Sequence, residues 1–358
     1  MWSRSDANSV KMWIHRFSNH THPYMTGVAP LQSVKILSNS CDPSATYFYD
    51  PQDDFNNTME YVAGTLNSDS ELVYNISYEI TLKETLWKLR ERNEGVYDTT
   101  DPLYQNLTGA ENNLQVENPS LISLSNSLCE GKNSIIDKVD AILDWITKNI
   151  EYDEDATVSR GAYLTYLLKL GDCSDFSTLF TTLLRIQGIP ARKVVGLVIM
   201  DDGYLATKKE AGYQISYYYG TTSSGETIGT IPGHAWVEYY IPGYGFISMD
   251  PTWSQTNPKY RNYMDYIHLP VCIGENLGGG VQPSIEGSVV EWGFIPYIKT
   301  SNPNDIRWSL SIDITYLEVD YKTPQSIPFH TGTFIVACSI IIALLSTGMI
   351  HKRSKKKD

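Results

Sequence analysis

From residue 71 to residue 82 apolar and polar side chains alternate. Leu72, Tyr74, Ile76, Tyr78, Ile80 and Leu82 fall on one side and Glu71, Asn75, Ser77, Glu79 and Thr81 on the other, the period of a half-buried strand. Short β-like pieces broken by Asp, Asn, Pro and Gly surround it, so residues 31–115 are expected to form a β-rich N-terminal region. Residues 1–30 show no period and read as a loose entry segment. Beyond Asn118 the spacing becomes helical. Pro119, a good first helical residue, opens a short helix to about residue 128. Asn133 or Ser134 caps a stronger one over residues 135–150, with Ile135, Val139, Ile142, Ile146 and Ile150 as its stripe and Ile136 and Leu143 widening it. A third helix starts at Cys173 and carries Phe176, Leu179, Phe180, Leu183, Leu184 and Ile186; Gly188 and Pro190 stop it. Residues 192–199 read as a strand, and residues 201–229 as a tyrosine-, glycine- and serine-rich insertion. Residues 234–240 and 246–250 then form a β-hairpin about a Pro-Gly-Tyr-Gly turn. After a glycine-rich break at 274–280, residues 308–316 alternate again, a β-element within a 256–328 region next to the longest apolar run.

That run lies near the end. No Asp, Glu, Lys or Arg occurs between Lys322 and Lys352. As a helix, residues 329–350 would span roughly 33 Å, enough for a bilayer core of about 30 Å. A single transmembrane helix is therefore expected over 329–350, with residues 351–358 as a basic cytoplasmic tail. Charge is distributed to match. The net charge of the 358 residues is −13, yet the last eight hold five Lys/Arg and one Asp, leaving 23 Lys/Arg against 40 Asp/Glu in the rest. An acidic body without a basic stripe excludes nucleic acid as a partner. The expected topology is an extracellular body on a single-pass anchor in the cell membrane. Asn19, Asn56, Asn75 and Asn106 begin N-x-Ser/Thr sequons, which accords with a glycoprotein. The first ten residues hold no apolar signal core, so export would require a different start or insertion directed by the C-terminal segment. Of the five cysteines, Cys338 lies in the apolar run; with Cys173 free, Cys41, Cys129 and Cys272 allow at most one disulfide. No disulfide scaffold is indicated.

The candidate chemistry lies on the third helix and the hairpin. A cysteine at a helix N-terminus faces unpaired N–H groups and the positive end of the helix dipole, both of which favour a thiolate. Read alone, Cys173 is equally a small buried apolar residue. The hairpin supplies its partners. A three-residue loop would set His234 and Asp250 on a common face, level or diagonal, and a regular four-residue loop would set them on opposite faces. His234 would then take or share the Cys173 proton, and Asp250 would hold the imidazole. Separately, His234 is an ordinary strand histidine and Asp250 a turn residue before Pro251. The chemistry requires no cofactor, and without Cys-x-x-Cys or His-x-x-x-His spacing a metal site is not expected. The Cys173 N–H is the natural oxyanion donor; Tyr163, Thr165 and Tyr166 are side-chain alternatives between which the sequence does not choose. Trp236 and Trp253 fit the cleft wall or the core.

Four pieces also carry a resemblance: Gly171-Asp-Cys-Ser-Asp-Phe-Ser177, Leu183-Leu-Arg-Ile-Gln-Gly-Ile-Pro-Ala-Arg192, His234-Ala-Trp-Val-Glu238 and Met249-Asp-Pro-Thr-Trp253. Together with Asn149-Ile-Glu-Tyr152 before them, they closely resemble the transglutaminase-like superfamily over about residues 120–255. The resemblance implies a papain-like α+β core, a cysteine helix packed on an antiparallel sheet, occupying residues 116–255. It implies Cys173 as nucleophile, His234 as general base and acid, and Asp250 as orienter. Such families include protein cross-linking enzymes, peptidases, amidases and members without activity, and many microbial relatives are membrane-anchored. The expected function is a thioester-forming enzyme acting on protein or peptide amides at the cell surface, by hydrolysis or acyl transfer to an amine. The alternative is a catalytically silent surface-binding or structural protein.

Overall fold

The computed structural model describes residues 7–20, 31–42, 46–50, 57–67, 70–156, 159–201, 204–205, 210–221, 227–274, 297–300, 306–320 and 331–344. Its helices are α1 (Pro102–Thr108), α2 (Pro119–Cys129), α3 (Ile135–Asn149), α4 (Gly161–Leu168) and α5 (Cys173–Ile186). Most of the starts have a local cause. Asn118 caps α2 and Pro119 takes its first position; the Ser134 hydroxyl accepts the Asp137 N–H at 3.0 Å to begin α3. For α5, Asp172 accepts the Asp175 N–H at 3.0 Å while the Asp175 carboxylate accepts the Asp172 N–H at 3.4 Å, a reciprocal cap. The chain leaves α5 through Gly188 at φ +69°, a left-handed conformation that suits glycine.

These helices cover a four-stranded antiparallel sheet in the order Gly245–Met249, Gly233–Ile241, Ala191–Val198, His268–Ile273. α5 lies at the centre of this α+β core. Its Phe176, Leu179, Phe180, Leu183 and Leu184 meet Val139, Ile142, Leu143 and Ile146 of α3, and Val237, Tyr239, Ile247 and Met249 of the sheet, all buried. His268–Ile273 gives the sheet its fourth strand from beyond residue 255.

The remaining strands form two further antiparallel sheets. The larger runs Thr227–Thr230, Gln214–Thr221, Ile306–Asp320, Thr331–Leu344, Glu71–Lys83, Gln32–Asp42. The smaller runs Tyr297–Thr300, Ala7–His15, Met59–Asn67, Thr46–Asp50. Val10, Met12, Val62 and Leu66 from one share a core with Tyr74, Tyr78, Ile80, Ile312, Ile314 and Tyr316 from the other. Leu197, Leu269 and Val271 of the first sheet join the same core, so this β-body packs directly on the α+β core. The alternation over 71–82 appears as drawn from sequence, with the six apolar residues buried and Asn75 exposed.

The C-terminal transmembrane helix expected over 329–350 is corrected. Residues 331–344 are a strand, hydrogen-bonded to Ile306–Asp320 on one edge and Glu71–Lys83 on the other; 329–330 and 345–350 lie outside the described residues. Thr331, Thr333, Ile335, Val336, Ile340, Ile341 and Ile342 are β-branched and suit a pleated surface. Val336 and Cys338, two apart, are buried in the shared core. A central strand is as uniformly apolar as a membrane helix, and hydropathy alone does not separate them. Among the described residues no helix is long and apolar enough to cross a membrane. Two other segments differ from expectation. Residues 7–15, read as loose, form a strand that buries Val10, Met12 and Ile14, and the 201–229 insertion supplies two strands to the larger sheet.

A buried ionic cluster ties the N-terminal segment to the α+β core. Glu238 accepts from Arg192 Nε at 2.9 Å and from the Ser248 hydroxyl at 3.1 Å, and lies 2.6 Å from His20 Nε2. Replacing Glu238 by Ala leaves the buried Arg192 charge without its carboxylate, and a loss of about 3–5 kcal/mol is expected. The urea unfolding midpoint reads this directly, and a variant that unfolds like the parent contradicts it.

Candidate active site

Cys173 is the first residue of α5 and is 4% exposed. Gly171, two residues before it, has no room for a side chain: a Cβ there would sit 2.5 Å from Asp175 Cβ. Asp175 also holds the preceding loop, accepting the Arg160 N–H at 2.7 Å and Arg160 Nη1 at 3.0 Å, while Arg160 pairs with Asp153 as well. One carboxylate thus sets both the start of the cysteine helix and the segment that faces it.

The hairpin closes with three loop residues, Pro242, Gly243 and Tyr244, because Ile241 pairs with Gly245. That odd length gives the shared face the sequence argument required, with Asp250 diagonal to His234. His234 Nε2 lies 2.7 Å from Asp250 Oδ2. Nε2 is thereby occupied, which leaves Nδ1 for the Cys173 thiol, with which His234 makes a side-chain hydrogen bond. The three residues singled out in the sequence are therefore brought together. Asp250 is 0% exposed, and its other oxygen is also held: Oδ1 accepts the Thr252 and Trp253 N–H groups, each at 2.9 Å. Its turn role and its role beside His234 coexist, one on each oxygen. Trp236 and Trp253 flank the imidazole, with ring centroids 6.2 and 5.2 Å away.

The electrostatics follow from this packing. Burial disfavours a charge on His234, but the Asp250 carboxylate and then Cys173 outweigh it and hold the imidazole well above its ordinary range. Burial likewise opposes the Asp250 charge, and His234 with His268 overcomes it, holding the carboxyl well below its usual range. A raised histidine stabilises the fold fully below 6.5 and loses that contribution as pH rises through its folded value. A lowered aspartate contributes fully above 3.8 and loses it as pH falls through its folded value. The stability difference between the parent and His234→Gln is therefore expected to be largest between these two pH values, 3.8 and 6.5, and to shrink on either side. Urea midpoints across pH check this; a difference that grows toward alkaline pH contradicts the sign.

Two groups were not legible in the sequence. His268 Nε2 lies 3.3 Å from Asp250 Oδ2, and its Nδ1 lies 2.6 Å from Asp265 Oδ1. Tyr152 pairs with Gly171 in a short parallel bridge and its ring stands 6.3 Å from that of Phe176, which shares a helix face with Cys173. Tyr152 is 43% exposed, and its hydroxyl is pushed up by burial and then by Cys173. Of the donors considered from sequence, Thr165 gives its hydroxyl to the Gly161 carbonyl, Tyr166 lies under Lys169, and Tyr163 packs against the helical core. None of the five cysteines is in a disulfide.

The donor atoms of His234, Asp250 and His268 lie within 4.8 Å of one another, a grouping that in principle suits a metal ion. Ligands of a tetrahedral zinc stand about 3.3 Å apart. The 2.7 Å contact of His234 with Asp250 is a hydrogen bond, so an ion would have to open it.

A thiol at a helix start, an imidazole and a carboxylate on an antiparallel sheet define a cysteine-centred α+β site. Residues 122–251 match the family model described as Transglutaminase-like superfamily, so the chain contains a transglutaminase-like domain. Two curated relatives match part of the chain. The uncharacterized protein YebA of Bacillus subtilis is 33% identical over 144 residues, covering 38% of this chain and 18% of that protein. An uncharacterized protein of Haemophilus influenzae is 29% identical over 121 residues, 32% of this chain and 30% of that protein. The matches thus span less than a third of either relative's length. Among solved structures, a candidate cysteine protease of Cytophaga hutchinsonii aligns over 91% of this chain and 97% of its own, at 17% identity and TM-score 0.47. The periplasmic domain of TgpA from Pseudomonas aeruginosa aligns over 72% of this chain and 91% of its own, at 17% identity and TM-score 0.32.

Proposed function

We propose that the chain is a transglutaminase-like thiol enzyme that forms a thioester on protein or peptide amides. The observation that carries this reading is the buried His234–Asp250 contact of 2.7 Å, with Cys173 hydrogen-bonded to the same imidazole. In the first step the Cys173 sulfur attacks the amide carbonyl carbon. The carbonyl π pair moves to oxygen, where the Cys173 N–H is the natural donor. His234 gives its Nδ1 proton to the leaving nitrogen, the C–N bond breaks, and an amine and a thioester remain. In the second step water or a primary amine attacks the thioester, His234 takes the proton, and Cys173 is released with an acid or a new amide as product. Asp250 keeps the imidazole in the required tautomer and supports its charge throughout.

The near closure of Cys173 favours a second reading, a transglutaminase-like binding module without turnover. One experiment separates the two. The protein is incubated with a panel of glutamine-bearing peptide amides, with and without a biotinylated primary amine, and intact mass and product are followed. An acyl adduct on Cys173 with released amine identifies a thiol enzyme, and biotin incorporation or its absence identifies the acceptor. Peptide binding without adduct or product identifies the silent module.

A further inference from the structure

Asp250 Oδ2 serves two histidines, His234 Nε2 at 2.7 Å and His268 Nε2 at 3.3 Å. On its other side His268 Nδ1 lies 2.6 Å from Asp265 Oδ1, and Asp265 Oδ2 accepts the Tyr260 hydroxyl at 2.7 Å. A neutral imidazole has only one donor, whereas an imidazole set between two carboxylate oxygens donates from both nitrogens. All five groups are buried.

We propose that His268 is a positioning residue of the active site, an imidazolium clamped between Asp250 and Asp265 that fixes Asp250 toward His234 and keeps it ionised. His268 opens the strand His268–Ile273, outside the matched residues 122–251, so the site is completed by a segment beyond the family core. The proposal rests on reading Cys173 as an activated thiol.

The surroundings of His268 are mixed in charge. His234 and Asp250 face it from the hairpin, Asp265 and Tyr260 from the segment before its strand, and the rings of Trp253 and Trp236 lie 4.6 and 5.2 Å away. Across a small cavity stand His20, Lys83 and Glu238. Two carboxylates in hydrogen-bond contact dominate more distant cations. Burial alone would keep His268 neutral, and Asp265 followed by the hydrogen bond to Asp250 reverses this and raises it. Losing the cation lets Asp250 take up a proton at higher pH. The hold on His234 then fails earlier as pH falls, and the thiolate–imidazolium pair goes with it.

The test needs no substrate. The rate of Cys173 alkylation by iodoacetamide is followed by mass spectrometry from about pH 4 to 8 in the parent, His268→Gln and Asp265→Asn. Asp265→Asn acts on His268 without touching Asp250. Both variants are expected to move the acid limb of the profile up by roughly one pH unit. Support of the fold alone would lower the rate at every pH without moving the limb, and that result overturns the proposal. In the parent, imidazole NMR of His268 at neutral pH is expected to show both nitrogens protonated; a neutral tautomer overturns the proposal even if both variants fail to fold. A parent whose Cys173 reacts with the pH profile of an ordinary thiol refutes the activated-thiol reading instead.

Discussion

Cys173→Ala is expected to abolish the acyl adduct and to lower turnover of every active peptide amide by about 10⁴-fold or more. No neighbouring group replaces the sulfur. Cys272, which packs with Cys173, Val195 and Ala235, lies on the strand next to His234's partner strand and gives its thiol to the Val195 carbonyl at 3.9 Å. The fold should survive, because the change removes a single atom from a small cluster and costs within about 1 kcal/mol. Urea unfolding and amide turnover measured on the same preparation separate the two effects. Turnover that persists at parental level would remove Cys173 from the chemistry.

Asp250→Asn carries the next largest effect. Asparagine fits the same space, and its carbonyl oxygen can accept the Thr252 and Trp253 N–H groups that Asp250 Oδ1 accepts. Its amide nitrogen then faces His234 Nε2 where an acceptor stood. His234 must present Nε2 as an acceptor, place its proton on Nδ1, and lose the anion that supports its charge. A neutral Nδ1–H is unable to take the thiol proton. A fall of about 10³-fold in kcat/KM is expected, mostly in kcat. Iodoacetamide should still reach Cys173, with its pH profile moved toward that of an ordinary thiol. Unchanged kcat with a raised KM would place Asp250 in substrate binding.

The groups that were legible in the sequence are those joined by local geometry. Asp172 and Asp175 are three apart and cap one helix, and the parity of a short loop decides whether His234 and Asp250 share a face. His268 escaped because its strand pairs with Ala191–Val198 and not with the hairpin, so no local spacing ties it to Asp250. Its i,i+3 relation to Asp265 was the only local trace. Tyr152 escaped for the same reason, since it reaches the site through a backbone bridge to Gly171, while the donors weighed from sequence, Tyr163 and Tyr166, pack against the helical core. The C-terminal run was misassigned because its uniform apolarity carried more weight than its β-branched composition. Val10, Met12 and Ile14 alternate within the entry segment, but a period of three apolar residues is too short to mark a strand by itself. With the run in a sheet, the single-pass anchor expected from it loses its basis.

The position of that strand also governs how the protein is made. Thr331–Leu344 lies between Ile306–Asp320 and Glu71–Lys83, so Glu71–Lys83 lacks its neighbour on that edge until some 250 further residues have left the ribosome. The helices and their four strands lie between these partners in the chain and can pack during synthesis. The larger sheet can close only after synthesis has passed its last strand, at the entropic cost of a long loop. Until then the apolar face of Tyr74, Tyr78 and Ile80 has an open edge, and a nascent chain stalled there presents a template for pairing with other chains.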